Sequence, residues 1–132
     1  MIKQVQEFHT KFGLPTGKDD QLSRSAATQE FRVGFLQEEL DELKEALAAG
    51  DKVKAFDALL DLAYVTYGTA LFMGVDPGQW KAGMDAVHGC NMAKVRVSAA
   101  EDSKRSSPWD VKKPHGWVGP EAQLMRILSW MK

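Results

Sequence analysis

One cysteine in 132 residues, Cys90, is too few for an internal disulfide or a multi-cysteine zinc site, and it fits a reducing compartment. Charge of one sign is not in excess either. The formal net charge of −1 argues against nonspecific binding to a nucleic-acid polymer, which needs a basic field, and leaves a nucleotide as the better partner. No run of roughly eighteen apolar residues is present, so no membrane span is expected. Met1-Ile2-Lys3-Gln4 opens a polar amphipathic segment rather than a secretory leader, and the chain is expected in the cytoplasm. There are 3 histidines, and none has Glu three residues before it, which removes a di-iron bundle built on Glu-x-x-His pairs. A Gly-x-x-x-x-Gly-Lys-Ser/Thr phosphate loop is missing too.

What is present is acid inside helical rhythm. Gln37 to Glu45 holds Glu38, Glu39, Asp41, Glu42 and Glu45, and around them Val33, Leu36, Leu40, Leu43 and Leu47 recur at steps of three or four. That spacing puts the apolar residues on one stripe expected to face a core. Glu38, Glu39 and Glu42 fall together on one flank beside Phe35, with Glu39 at the border of the stripe, whereas Asp41 and Glu45 point toward solvent. From Ala58 to Gly74 the only charged residue is Asp61, so this segment is expected as an interior helix. Asp57 lies one turn before Asp61 on the same face. A carboxylate in such a place is costly unless paired, hydrogen-bonded or bound to metal, and the segment itself offers no Lys or Arg. Carboxylates from two adjacent helices suit a hard divalent cation, Mg²⁺ or Mn²⁺.

The order Glu38-Glu39-x-x-Glu42 followed by acids one helix later resembles the all-α NTP pyrophosphohydrolases, the group containing MazG, the dimeric dUTPases and phosphoribosyl-ATP pyrophosphohydrolase. Their pattern is E-E-x-x-E, then E-x-x-D. The first half is matched in full; in the second, Ala58 stands where the Glu belongs, and Asp57 is the expected substitute. The resemblance implies a Mg²⁺-dependent hydrolase that converts an NTP or dNTP to the monophosphate and pyrophosphate. Under it Glu38, Glu42 and Asp61 are metal ligands, Glu39 is a ligand or the base that activates water, and Asp57 is a ligand or an acid behind one. The same resemblance makes His88 to Lys94 the segment that faces substrate, with Asn91 and Lys94 as contacts. It also implies a homodimer or homotetramer. Arg32 meets substrate or pairs with a neighbouring acid, and Lys113, with Lys112 and His115, closes over phosphate or is simply solvated. Phosphoribosyl-ATP as substrate is the alternative within the family. A noncatalytic helical interaction module, whose stability would not respond to Mg²⁺, is the alternative outside it.

The expected architecture is one all-α domain over residues 1–132, a four-helix-bundle-like core with a short C-terminal helix and an irregular region over 99–119. Ile2, Val5, Phe8, His9 and Phe12 give a first helix stopped by Gly13-Leu14-Pro15, and His9 is given no chemistry. A second helix runs from about Ala27 to Leu47 or Ala49 with Gly50 as its C-cap, and a third from about Lys52 to Phe72 with Asp51 as N-cap. The short link makes the two antiparallel neighbours. Gly68 in the third suggests close approach of another group. Asp76-Pro77 opens a fourth, expected to reach about Val97 with Asn91 on its core-facing side. Trp109 and Trp117 pin the irregular region, and Leu124, Ile127, Leu128 and Met131 form the stripe of the last helix, whose Trp130 packs on a partner chain.

Overall fold

The computed structural model describes residues 1–130, so Met131 lies outside the described residues. The chain is all-α, with a minimal antiparallel hairpin and a short C-terminal helix. It divides into two compact units, Met1–Trp80 and Lys81–Lys132.

The first unit is built from helices α1 (Ile2–Phe12), α2 (Ala26–Ala48) and α3 (Lys52–Phe72). Each long helix starts where a side chain satisfies a backbone N–H that the helix leaves open. Ser25 accepts from Thr28 N at 3.2 Å, and Asp51 accepts from Lys54 N at 3.0 Å. Between them Gly50 takes φ 68°, a left-handed turn that only glycine makes without strain. The link is therefore short, and α2 folds back along α3. Arg32 meets Val65 and Thr69 of α3, whereas Glu39 seven residues on is close to Asp61, so the helices run antiparallel. Ile2 and Val5 of α1 pack on Ala70 and Leu71 of α3, with Tyr67, Val75 and Trp80 around them. Leu71 is fully buried, which contributes roughly 1.5–3 kcal/mol.

The apolar stripe of α2 does not face this core. Val33 is 65% exposed, Leu40 42% and Leu47 64%, and the residues of α2 that are buried are Arg32, Glu39 and Ala46. The reason lies on α3, where the small residues Ala55, Ala58 and Gly68 are among the buried ones, with Val65, and leave room for bulky polar partners. α3 is likewise interior on one side only. Phe56, Leu59 and Leu60 are exposed, although the segment carries a single charge after Asp57.

Gly68 does mark a close approach. A Cβ there would lie 2.7 Å from Arg32 Nη2 and 3.0 Å from His9 Nε2. His9 is buried, its Nδ1 hydrogen-bonded to the Pro15 carbonyl, and its ring packs edge-on against Phe72. The segment after α1 continues along α3, where Gln21 N donates to Phe72 O at 2.7 Å.

Helix α4 (Pro77–Met92) opens as expected. Asp76 Oδ1 accepts from Gln79 N at 2.8 Å while Gln79 Oε1 accepts from Asp76 N at 3.1 Å, a reciprocal cap. It ends at Met92, five residues short of the expected Val97. After it, β1 (Val95–Arg96) pairs antiparallel with β2 (Val111–Lys112), Val95 opposite Lys112 and Arg96 opposite Val111. Val97 is buried and donates to Asp110 O at 3.1 Å. β-branched Val95 and Val97 fit a strand better than a helix end. Residues 99–119 thus hold a strand and a 3-10 turn (Ala100–Asp102) in a region expected to be irregular. Trp117 anchors it, donating from Nε1 to Cys90 O at 2.7 Å, whereas Trp109 is 85% exposed and meets the Arg96 guanidinium at 5.2 Å. Asn91, expected in the core-facing seam, is exposed. The last helix, α5 (Glu121–Leu128), places Leu124 against Gly83 of α4. Among the described residues no single helix is long and apolar enough to cross a membrane.

Candidate functional site

Two helices aligned in this way set α2 acids against α3 acids. One carboxylate oxygen each from Glu39, Glu42 and Asp61 lies within 4.8 Å of the other two, in an arrangement that could hold a metal ion. Glu39 is buried, Asp61 half-buried and Glu42 exposed, so the cluster has a closed floor and an open mouth. Glu39 Oε2 is buried with no hydrogen-bond partner. A buried acceptor left without a donor costs about 1–3 kcal/mol, more for a charge, and such an atom in a native fold marks strain, a catalytic role, or a water or ion that satisfies it.

Electrostatics point the same way. Burial pushes the Glu39 carboxyl above the usual carboxylate range, and the neighbouring Glu42, Asp61 and Glu38 raise it further. Asp61 is raised as well, first by burial and then by Asp57 and Glu42. Glu38 and Asp57 thus act on the cluster through charge while standing at its margins. Glu38 borders a shallow hollow with Phe31, Gly34 and Phe35, and Asp57 shares a cavity of about 440 Å³ with Glu42 and Glu45. Ala58, where the family pattern has a Glu, is buried.

Arg32 is turned inward. Its Nη2 donates to Val65 O at 2.9 Å and its Nε to Thr69 Oγ1 at 3.2 Å, and its guanidinium stacks 4.7 Å from the Phe72 ring centroid. These contacts are all within the helix pair. Asn91, Lys94 and Lys113 belong to the second unit, where both ammonium groups sit over the Trp117 ring, at 5.3 Å and 4.8 Å. His9, packed beside Arg32 and Gly68, was not legible as part of this arrangement, because a lone histidine on an apolar face carries no spacing signal.

Against this geometry, the sequence model of the phosphoribosyl-ATP pyrophosphohydrolase family matches residues 5–89, which span α1 to α3 and most of α4. The chain belongs to that family. The family lies within the MazG-like all-α NTP pyrophosphohydrolase superfamily, so the resemblance carried by the acids holds. The chain is accordingly a nucleotide pyrophosphohydrolase, a hydrolase acting on acid anhydrides, and the noncatalytic alternative falls. Compared with curated proteins, the chain matches none. The family match ends at residue 89, before the hairpin and α5.

Proposed function

We propose that the chain hydrolyses the α,β-anhydride bond of a nucleoside triphosphate, ribo or deoxy, to the monophosphate and pyrophosphate, with Mg²⁺ or Mn²⁺ held by Glu39, Glu42 and Asp61. The observation that carries this is the meeting of three carboxylates within 4.8 Å around a buried, partnerless Glu39 oxygen. The donor set is all oxygen, which fits a hard divalent ion and not a thiophilic one. When bound, the ion neutralises charge on phosphate oxygens and acidifies water. Glu42 and Asp61, nearer the mouth, hold it from opposite helices, and Glu38 and Asp57 add negative charge from either side. Glu39 is a ligand of the ion or, ionised and made more basic by burial, the base that takes the proton of the attacking water. The water oxygen bonds to the α-phosphorus, the bridging P–O bond breaks, and pyrophosphate leaves with the electron pair.

Phosphoribosyl-ATP is the second reading of the substrate, favoured by the family that matches residues 5–89. It presents the same anhydride, so the chemistry is common to both. A homodimer or homotetramer is also part of the proposal. It is supported by the apolar side chains that the single chain leaves in water: Val33 at 65%, Leu47 at 64%, Val53 at 80% and Phe56 at 62% exposure.

The test is a pyrophosphate-release screen over NTPs, dNTPs and phosphoribosyl-ATP, with Mg²⁺, with Mn²⁺ and with EDTA, run beside Glu39→Gln. Release that requires a divalent ion and vanishes in the variant is expected. Release indifferent to both would reject the proposal.

A further inference from the structure

The charge of the chain is unevenly divided between its units. Residues 1–80 hold 13 acidic and 8 basic side chains, residues 81–132 hold 5 and 9. Much of the second unit's excess is gathered in one place. A cavity of about 440 Å³ is lined by Lys94, Lys104, Arg105, Lys112 and Lys113, five cations that follow α4, follow the 3-10 turn and lie at β2, together with Asp102, Asp110 and Val111.

Its two acids, Asp102 and Asp110, offset part of this charge, and Asp110 is the ion-pair partner of Arg105. Asp110 is occupied by the Ser103 hydroxyl at 2.6 Å, the Val111 N–H at 2.8 Å and Arg105 at 2.8 Å, and these bonds hold its carboxyl at a pKa of about 2. Asp102 accepts from the Ser98 hydroxyl. Among the described residues no carboxylate forms an ion pair with Lys94, Lys104, Lys112 or Lys113. The hairpin makes the crowding worse. Its register pairs Val95 with Lys112, and one step further along the same ladder brings Lys94 opposite Lys113. Like charges facing each other across strands are destabilising. The Trp117 face under both ammonium groups offsets part of this cost. Nothing in the packing of the unit requires four unpaired lysines around a cavity, whereas a multiply charged anion would. A concave wall with a positive excess also focuses the field on what enters.

We propose that this cavity is a binding site for a condensed phosphate chain, di- or triphosphate, recognised by Lys94, Lys104, Lys112 and Lys113 and requiring no divalent ion. Phosphate suits it because ammonium groups act as point charges toward closely spaced oxygens. The lining offers a single apolar side chain, Val111, and no aromatic ring, so the phosphate chain and not a base is what is recognised. The site lies wholly past residue 89, beyond the family match, and the inference stands whether or not the acids of the first unit act as proposed.

The test is calorimetric titration of the full chain carrying Glu39→Gln, in EDTA and low salt, with inorganic tripolyphosphate as the probe. Binding is expected, and Lys104→Ala with Lys112→Ala should weaken it by about tenfold or more, about 1.4 kcal/mol per factor of ten. Lys104→Arg with Lys112→Arg should retain it, as should a further Asp61→Asn. ATP binding no more tightly than tripolyphosphate supports the proposal, and markedly tighter ATP binding overturns it. No binding without metal, no loss in the double alanine variant, or a short single-stranded oligonucleotide binding more tightly than tripolyphosphate would each overturn it. Pyrophosphate release by a wild-type chain that fails this titration separates the inference from the proposed activity.

Discussion

Glu39→Gln should make the metal-free protein more stable while destroying its response to divalent ions. Two carboxylates stand within 4.8 Å of Glu39. At an effective dielectric of about 20, each such pair repels by roughly 3 kcal/mol. Glu42 is exposed, and solvent and partial protonation reduce this to on the order of 1 kcal/mol per pair. The glutamine amide can also donate to the carboxylates around it, giving the buried atom the partner it lacks. The variant should therefore gain about 1–2 kcal/mol in EDTA, a rise in Tm of several degrees for a chain of this size. Saturating Mg²⁺ should stabilise the wild type by about 2.7 kcal/mol at a hundredfold excess over Kd. It should leave the variant nearly unmoved. Differential scanning calorimetry of both proteins, in EDTA and over a Mg²⁺ series, measures all four states. A variant less stable than wild type in EDTA, or one that Mg²⁺ stabilises equally, would refute the account of the cluster.

Further outcomes follow from other contacts. Burial lowers the His9 pKa below its ordinary value of 6.5, with Arg32 acting in the same direction. The unfolded chain then binds a proton that the folded one refuses, so stability should fall as pH drops from about 6.5 through the lower folded value, by up to about 1.4 kcal/mol per pH unit. Urea melts of His9→Asn, which keeps a donor for Pro15 O, should show a flatter acid limb; an identical slope would sink the assignment. Gly68→Ala puts a methyl group 2.7 Å from Arg32 Nη2, and the overpacking of about 1–3 kcal/mol should outweigh a helix-propensity gain of about 1 kcal/mol. A thermal melt in which the Gly68→Ala chain outlasts the wild type would contradict that close approach. Val33→Lys with Leu47→Lys changes two exposed positions and should cost a lone chain less than about 1 kcal/mol. In sedimentation velocity it should convert an oligomer to monomer, and an unchanged distribution would place the interface elsewhere.

The helices were legible because their ends are written in capping residues and their bodies in periodicity. Ser25, Asp51 and Asp76 start helices at N-terminal caps, and Gly50 closes the second one. The acids were legible because a carboxylate within a nearly uncharged helix demands compensation. The inward face of α2 was not. Periodicity assigned it to leucines, but the residues buried there are Arg32, Glu39 and Ala46, chosen by the small residues across from them on α3. That choice depends on a partner surface, which spacing along one helix does not encode. The hairpin was missed for a related reason, since two-residue strands are fixed by pairing between Val95 and Lys112 and not by local pattern.

Arg32 has a consequence for how the chain tolerates its own repulsion. Three like charges pushed together would slide or roll the rods that carry them, and a slip of one residue turns a side chain by roughly 100°. The guanidinium fork fastened to Val65 and Thr69, two turns from Glu39, works as a dowel that blocks both motions. Distances among the acids are thereby set two turns away from the acids themselves.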